Sequence, residues 1–196
     1  MKFGADGLVP CIVQDWNSGE VLTLAYMNAD ALARTRETGE MHFFSRSRQE
    51  LWHKGASSGN VQHLRGLRYD CDADALLALV EPAGPACHTG ERTCFHRGDL
   101  SAQAPFEVLP ALERTIAARK HGAPDGSYTA ALLADPGHIG EKVQEEAEEV
   151  ARAAREETDE RVANEAADVL YHLSVLLASR SLTLADAGRV LDERRR

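Results

Sequence analysis

Gly98-Asp99-Leu100-Ser101-Ala102-Gln103-Ala104-Pro105 divides the chain into two halves with different patterning. The stretch is small and polar, so it reads as a linker. Before it, short alternating segments recur: Leu8–Val13 and Val21–Ala25 flank the turn Asn17-Ser18-Gly19, a hairpin signal. Asn28 and Asp30 open a short helix over 31–38 that stops at Gly39. Segments 41–45, 61–70 and 75–81 read as further strands. Beyond the linker the apolar period becomes about 3.6, predicting helices near 106–121, 139–157, 159–180 and 184–194. In the third of these, Val162, Ala166, Val169, Leu173 and Leu176 form a seam suited to helix packing. The expectation is an α+β chain. A mainly antiparallel β-rich domain occupies 1–100, a linker 101–105, and an all-α bundle 106–196.

The 196 residues, 43% hydrophobic and 27% charged, suffice for two small cores. Domains this small are marginally stable alone, so dimerisation is expected. Net charge is −9, and acidic residues outnumber basic ones by 13 to 10 over 1–105 and by 18 to 12 over 106–196. That balance argues against duplex nucleic acid as a partner and leaves small phosphorylated ligands open. No apolar stretch approaches a membrane span or a signal peptide, so the expectation is a cytoplasmic protein with reduced thiols.

Each half carries its own kind of metal ligand. In the first, Asp70-Cys71-Asp72-Ala73-Asp74 precedes Cys87-His88-Thr89-Gly90 and then Cys94. Three thiolates can hold zinc while a fourth position stays open for water. The alternative is a closed structural site completed by one of the eight histidines. His88, next to a ligand, is placed to exchange protons. On a strand, Asp70, Asp72 and Asp74 would share one face, where a hard cation such as Mg²⁺ relieves their repulsion; otherwise they form a solvated acidic turn. Cys11, in an apolar run, is expected in the core. Between 44 and 60, Arg46, Arg48 and Lys54 with Ser57, Ser58 and Gly59 suit a phosphate grip, although any exposed loop has such a composition.

In the second half, Glu145, Glu146 and Glu149 occupy one surface of a helix. Glu165 and Asp168 are an i, i+3 pair on the next. If these helices pack antiparallel, the carboxylates face one another and ask for Mg²⁺ or Mn²⁺. A solvated acidic face is the competing reading. His172 is read as a hydrogen-bonded core residue rather than a ligand.

These motifs resemble a known pair of families. The first half is similar to phosphoribosyl-AMP cyclohydrolase through WNSGEVLTLAYMN (16–28), FFSRSRQELWHKGASSGNVQ (43–62), YDCDADA (69–75) and CHTGERTCF (87–95). The second resembles phosphoribosyl-ATP pyrophosphohydrolase through GSYTAALL (126–133), KVQEEAEEV (142–150) and NEAADVLYHL (164–173). Together they look like the fused enzyme of histidine biosynthesis. Two departures are Thr93, where serine is usual, and Gln144, where glycine is common; neither removes a ligand.

The resemblance implies zinc at Cys71, Cys87 and Cys94, with ligands shared across a homodimer, and Mg²⁺ at Asp70, Asp72 and Asp74. It also implies Mg²⁺ at Glu146, Glu149, Glu165 and Asp168, with Glu145 among the catalytic set. The substrates it implies are phosphoribosyl nucleotides. By the same resemblance, pyrophosphate would be released from phosphoribosyl-ATP first, and zinc-activated water would then open the purine ring between N1 and C6. Ser127 and Tyr128 become candidates for phosphate contacts. The competing reading is a zinc-stabilised adaptor with a non-catalytic acidic bundle, or an enzyme active in one half.

Overall fold

The computed structural model describes residues 1–99 and 104–195. The chain forms two compact units, Met1–Ala104 and Pro105–Arg196. Positions 101–103 of the expected linker lie outside the described residues. Pro105 opens a single 3₁₀ turn, Pro105–Glu107.

The first unit is built on β1 (Val9–Asp15), whose Val9, Cys11, Val13 and Asp15 all face inward by simple alternation. It pairs antiparallel with β2 (Val21–Met27) across the predicted hairpin. Gly19 takes the left-handed conformation there (φ 75°), and the Asp15 carboxylate accepts from the amides of Asn17 and Ser18 at 2.7 and 2.9 Å. Asn28 caps α1 (Ala29–Thr38) by accepting from the Ala31 amide at 2.8 Å, and Gly39 ends it with φ 70°.

β3 (His42–Ser45) and β4 (Glu50–His53) form a separate antiparallel pair. β5 (Gln62–Tyr69) and β6 (Leu76–Pro82) return to the main sheet, whose order is β2-β1-β6-β5. The sheet is antiparallel except between β1 and β6, which run parallel. Its core gathers Val9, Cys11, Val13, Leu22, Met27, Phe43, Leu76 and Val80. Cys11 is fully buried, and burial pushes its thiol up to about 12 from 9.0. An unfolded thiol ionises near 9.0 while the folded one stays protonated to about 12, so this contribution to stability is constant below pH 9.0 and is lost as pH rises toward 12. At pH 8 an alkylating reagent is expected to modify exposed Cys71 and Cys94 and spare Cys11 until the chain unfolds, as read by peptide mass. Modification of native Cys11 at the rate of the exposed thiols would contradict this burial.

The second unit contains α2 (Val108–His121), α3 (Tyr128–Ala134), α4 (Pro136–Glu156), α5 (Asp159–Ser179) and α6 (Leu184–Arg194). Ser127, Asp135, Thr158 and Thr183 cap four of these starts. Pro136 stands at the first position of α4, and Thr183 with Asp186 makes a capping box. Glu146 and Glu149 of α4 meet His172 and Glu165 of α5 respectively, so α4 and α5 run antiparallel. The apolar core is Ile116, Leu132, Ile139 and Val175.

Three expectations need correcting. β4 lies inside the 44–60 segment, where the sequence predicts no strand because only Leu51 and Trp52 are apolar in it. α3 was missed, since seven residues are too few to show a helical period. The predicted seam of α5 is only half-buried. The innermost positions of that helix are Glu165, His172, Ser174 and Val175, so its inner row is polar for much of its length.

Candidate active sites in the two units

Cys87 and Cys94 belong to one short loop, and the hydrogen bonds of that loop fix where their sulfurs go. The Cys87 amide donates to Glu91 O at 3.0 Å and the Gly90 amide to Cys87 O at 3.2 Å, closing a tight turn. The Cys94 amide donates to Leu22 O at 2.8 Å, and Thr93 Oγ1 donates to Val21 O at 2.7 Å, docking the end of the loop on β2. Arg92 reaches from between the cysteines to two buried carboxylates of the β1–β2 hairpin. Its Nη2 donates to Asp15 and its Nε to Glu20, each at 2.6 Å. Sequence reasoning passed over Arg92, because a single arginine in a loop carries no local signal.

Removing one partner of a buried ion pair leaves the others uncompensated. Arg92→Met is therefore expected to destabilise the first unit by about 3 kcal/mol, read as a lower urea midpoint. An unchanged midpoint would refute this.

The Cys87 thiol is held below its ordinary range, first by the Thr89 hydroxyl, which donates to the sulfur at 3.1 Å, and further by the Cys94 thiol. Lys54 lies near both sulfurs, whose negative charge favours its ammonium, but burial dominates and lowers its pKa. His88 is exposed, with Nδ1 3.9 Å from the Cys87 sulfur. Cys71 is exposed elsewhere, its sulfur 3.8 Å from an Asp72 oxygen. The three thiols do not come together as one ligand group among the described residues of this chain.

Asp70, Asp72 and Asp74 do converge, with ligand oxygens within 4.8 Å of one another. They do so on a turn, not on the strand expected. β5 ends at Tyr69, Ala73 adopts φ 63°, and Asp70 Oδ1 accepts from the amides of Asp74 and Ala75, both at 2.9 Å. The backbone bond from Ala75 chiefly lowers Asp70, whereas the Asp70 carboxyl raises Asp74.

The predicted phosphate grip divides. Arg46 and Arg48 line a cleft of about 450 Å³ with Tyr26, Phe44 and Trp52, and the Arg46 guanidinium lies 3.8 Å from the centre of the Tyr26 ring. Ser57, Ser58 and Gly59 are exposed on the turn after β4. Lys54 does not join an exposed grip. Its backbone amide is bonded to Met41 O, and its Nζ turns inward to Asn60 O at 3.3 Å.

In the helical unit, Glu146, Glu165 and Asp168 place ligand oxygens within 4.8 Å of one another. Glu146 and Glu165 are buried; Asp168 is exposed. Glu165 Oε1 has no hydrogen bond, although the Arg161 guanidinium lies against it. Burial chiefly raises the Glu165 pKa, neighbouring Glu149 and Asp168 add to that, and Arg161 opposes them. Glu149 thus adjoins the group, also pairing with Arg152 at 3.3 Å. Glu145 does not join it. Its carboxylate is exposed and bound to Lys142 at 2.6 Å, a lysine that also reaches Glu146 at 3.1 Å. Lys142 and Arg161 were missed in the sequence, where helical basic residues look like ordinary surface charge. Buried carboxylate oxygens that converge in this way, with only one guanidinium against Glu165, fit a divalent cation.

The family description of phosphoribosyl-AMP cyclohydrolase matches residues 23–96, and that of phosphoribosyl-ATP pyrophosphohydrolase matches 109–195. The histidine biosynthesis bifunctional protein HisIE of Bacillus subtilis is 53% identical over 197 residues, spanning 99% of this chain and 94% of that protein. The protein of the same name from Gloeobacter violaceus is 52% identical over 201 residues, spanning 100% and 90%. That of Vibrio parahaemolyticus is 49% identical over 190 residues, spanning 96% and 90%.

Proposed function

Because this chain belongs to the bifunctional family that joins phosphoribosyl-AMP cyclohydrolase to phosphoribosyl-ATP pyrophosphohydrolase in histidine biosynthesis, we propose how its residues divide the two hydrolyses. The domain described by 106–196 acts first and the domain over 1–100 second, joined through 101–105. In the first reaction water adds to phosphorus and the α–β phosphoanhydride breaks, giving phosphoribosyl-AMP and pyrophosphate. Water then adds to C6 of the purine and the N1–C6 bond breaks. No described helix is long and apolar enough to cross a membrane. The expected site of work is the cytoplasm.

Glu146, Glu165 and Asp168 would hold Mg²⁺, with Glu149 completing the set. The observation that carries this is the convergence of three ligand oxygens within 4.8 Å. A cation held there would supply neutralisation of phosphate charge. Lys142 orients Glu146 from the exposed side, and Arg161 steadies Glu165. Glu145, held by Lys142, acts on Glu146 through that lysine rather than as a ligand.

In the β-rich unit Cys87 and Cys94 would hold zinc together with Cys71 of a second copy, which makes the enzyme a homodimer. The fit rests on two neighbouring thiols, one with a depressed pKa, and on the separation of Cys71 from them within one chain. Zinc, when bound, supplies water acidic enough to act as nucleophile near neutral pH. His88 is placed to move a proton at that centre. Asp70, Asp72 and Asp74 would hold Mg²⁺. Arg46 and Arg48 would take a substrate phosphate at the cleft they line, beside the hydroxyls and Gly59 of the 57–59 turn. Lys54, buried beside the sulfurs, serves as their counter-charge and leaves the phosphate to the arginines.

The test is chelation followed by separate metal return, with pyrophosphate and ring opening assayed independently. Mg²⁺ alone is expected to restore pyrophosphate release from phosphoribosyl-ATP, while ring opening of phosphoribosyl-AMP requires zinc as well. Recovery of neither activity, or of both with one metal, contradicts the division.

A further inference from the structure

His172 is a buried titratable group that the reactions above do not use. It is 4% exposed, and it sits where α3, α4 and α5 meet the carboxylate group. Its Nδ1 lies 2.9 Å from the Asp168 carbonyl oxygen, which can only accept, so Nδ1 carries the proton. In the neutral ring Nε2 is then an acceptor. Its partner is the Tyr128 hydroxyl at 3.2 Å, so the phenol donates. The Nδ1–H edge also faces Glu146 Oε1 at 3.6 Å, turning the positive side of the imidazole toward a buried carboxylate.

The ring is confined on its remaining sides. Tyr171 meets it edge-on, with centroids 5.0 Å apart and planes at 75°, and Tyr128 does so at 6.2 Å and 90°. Thr129, the neighbour of Tyr128 on α3, is 2.7 Å from the Tyr171 hydroxyl. Two bonds from α3 thus reach adjacent residues of α5. The outer member, Tyr128, is half exposed, and the inner one touches Glu146.

We infer that Tyr128 and His172 are positioning residues for the carboxylate cage: with the tautomer of His172 set by the Asp168 carbonyl, the Tyr128 hydroxyl fixes the tilt of the ring, and His172 holds Glu146 toward Glu165 and Asp168. The inference rests on the proposed reading of that cage as the metal centre of pyrophosphate release. It also gives α3 a task, since α3 carries no residue of the cage yet supplies the hydroxyl that orients it. Ligand-orienting partners of this kind change metal affinity by about 10- to 100-fold when removed.

The experiment uses the full chain and three variants. Mn²⁺ binding is followed by calorimetry, and pyrophosphate release is followed as kcat and KM. Glu165→Gln identifies the binding component that belongs to the cage by abolishing it. Tyr128→Phe, which removes one oxygen, is expected to weaken that component about tenfold and to lower kcat with KM nearly unchanged, leaving ring opening untouched. His172→Asn, which keeps a donor near the Asp168 carbonyl but cannot reach the phenol, is expected to show a similar loss. The double variant should be little worse than either, because both cut one link.

A Tyr128→Phe enzyme with unaltered Mn²⁺ binding overturns the inference, whether its only change is a lower melting temperature or a higher KM. If Glu165→Gln abolishes no binding component and spares pyrophosphate release, the reading of the cage itself fails instead.

Discussion

Glu165→Gln is expected to lower pyrophosphate release by at least about a hundredfold while raising the thermal stability of the metal-free protein. The loss follows from deleting a proposed ligand, since even outer partners of a metal site cost up to about 100-fold. The gain follows from electrostatics. Burial raises the Glu165 pKa, and Glu149 and Asp168 raise it further against the opposing Arg161 charge, so on balance its ionised form is destabilised by the fold that surrounds it. Glutamine keeps the shape and removes the charge. Activity and stability that move in opposite directions mark a group retained for function rather than for packing. Steady-state release assays and a melting curve in chelator check both halves. A variant that is less stable and fully active would make Glu165 a structural residue.

Cys87→Ala is expected to abolish ring opening and to remove bound zinc, while pyrophosphate release continues at the rate of the parent. The two compact units carry separate cores, and Cys87 belongs to the first while the cage belongs to the second. The reaction should therefore halt after the first step, with phosphoribosyl-AMP accumulating from phosphoribosyl-ATP. Chromatographic separation of the nucleotides, with zinc measured on the same sample, gives the result. A non-catalytic adaptor would show neither reaction before or after the substitution. Ring opening that survives the loss of Cys87 would remove the thiolate centre from the mechanism.

Much of this was legible in the sequence because the decisive patterns are local. The alternation of Val9, Cys11 and Val13 specifies β1, and Asn28 with Gly39 brackets α1. Glu146, Glu165 and Asp168 lie at helical spacings, so their meeting needs only that two helices pack antiparallel. What escaped was non-local or too short to show a period. Lys54 reads as a loop cation until its side chain is found turned inward to the Asn60 carbonyl. Arg92 gains meaning only from Asp15 and Glu20, more than 70 positions away. The three aspartates converge on a turn and not on the strand that alternation predicts. A left-handed Ala73 and two amides held by Asp70 produce the convergence. Tyr128 lay in a quoted motif, yet its link to His172 spans 44 positions and two helices.

The most direct measurement is anomalous diffraction from crystals of the full chain grown with zinc and manganese, with data at both absorption edges. Zinc is predicted between Cys87, Cys94 and Cys71 of a second copy, with one ligand that is not protein. Manganese is predicted among Glu146, Glu165 and Asp168. A zinc ion enclosed by four protein ligands, or manganese absent from the helical unit, would contradict an enzyme with two separate hydrolytic centres.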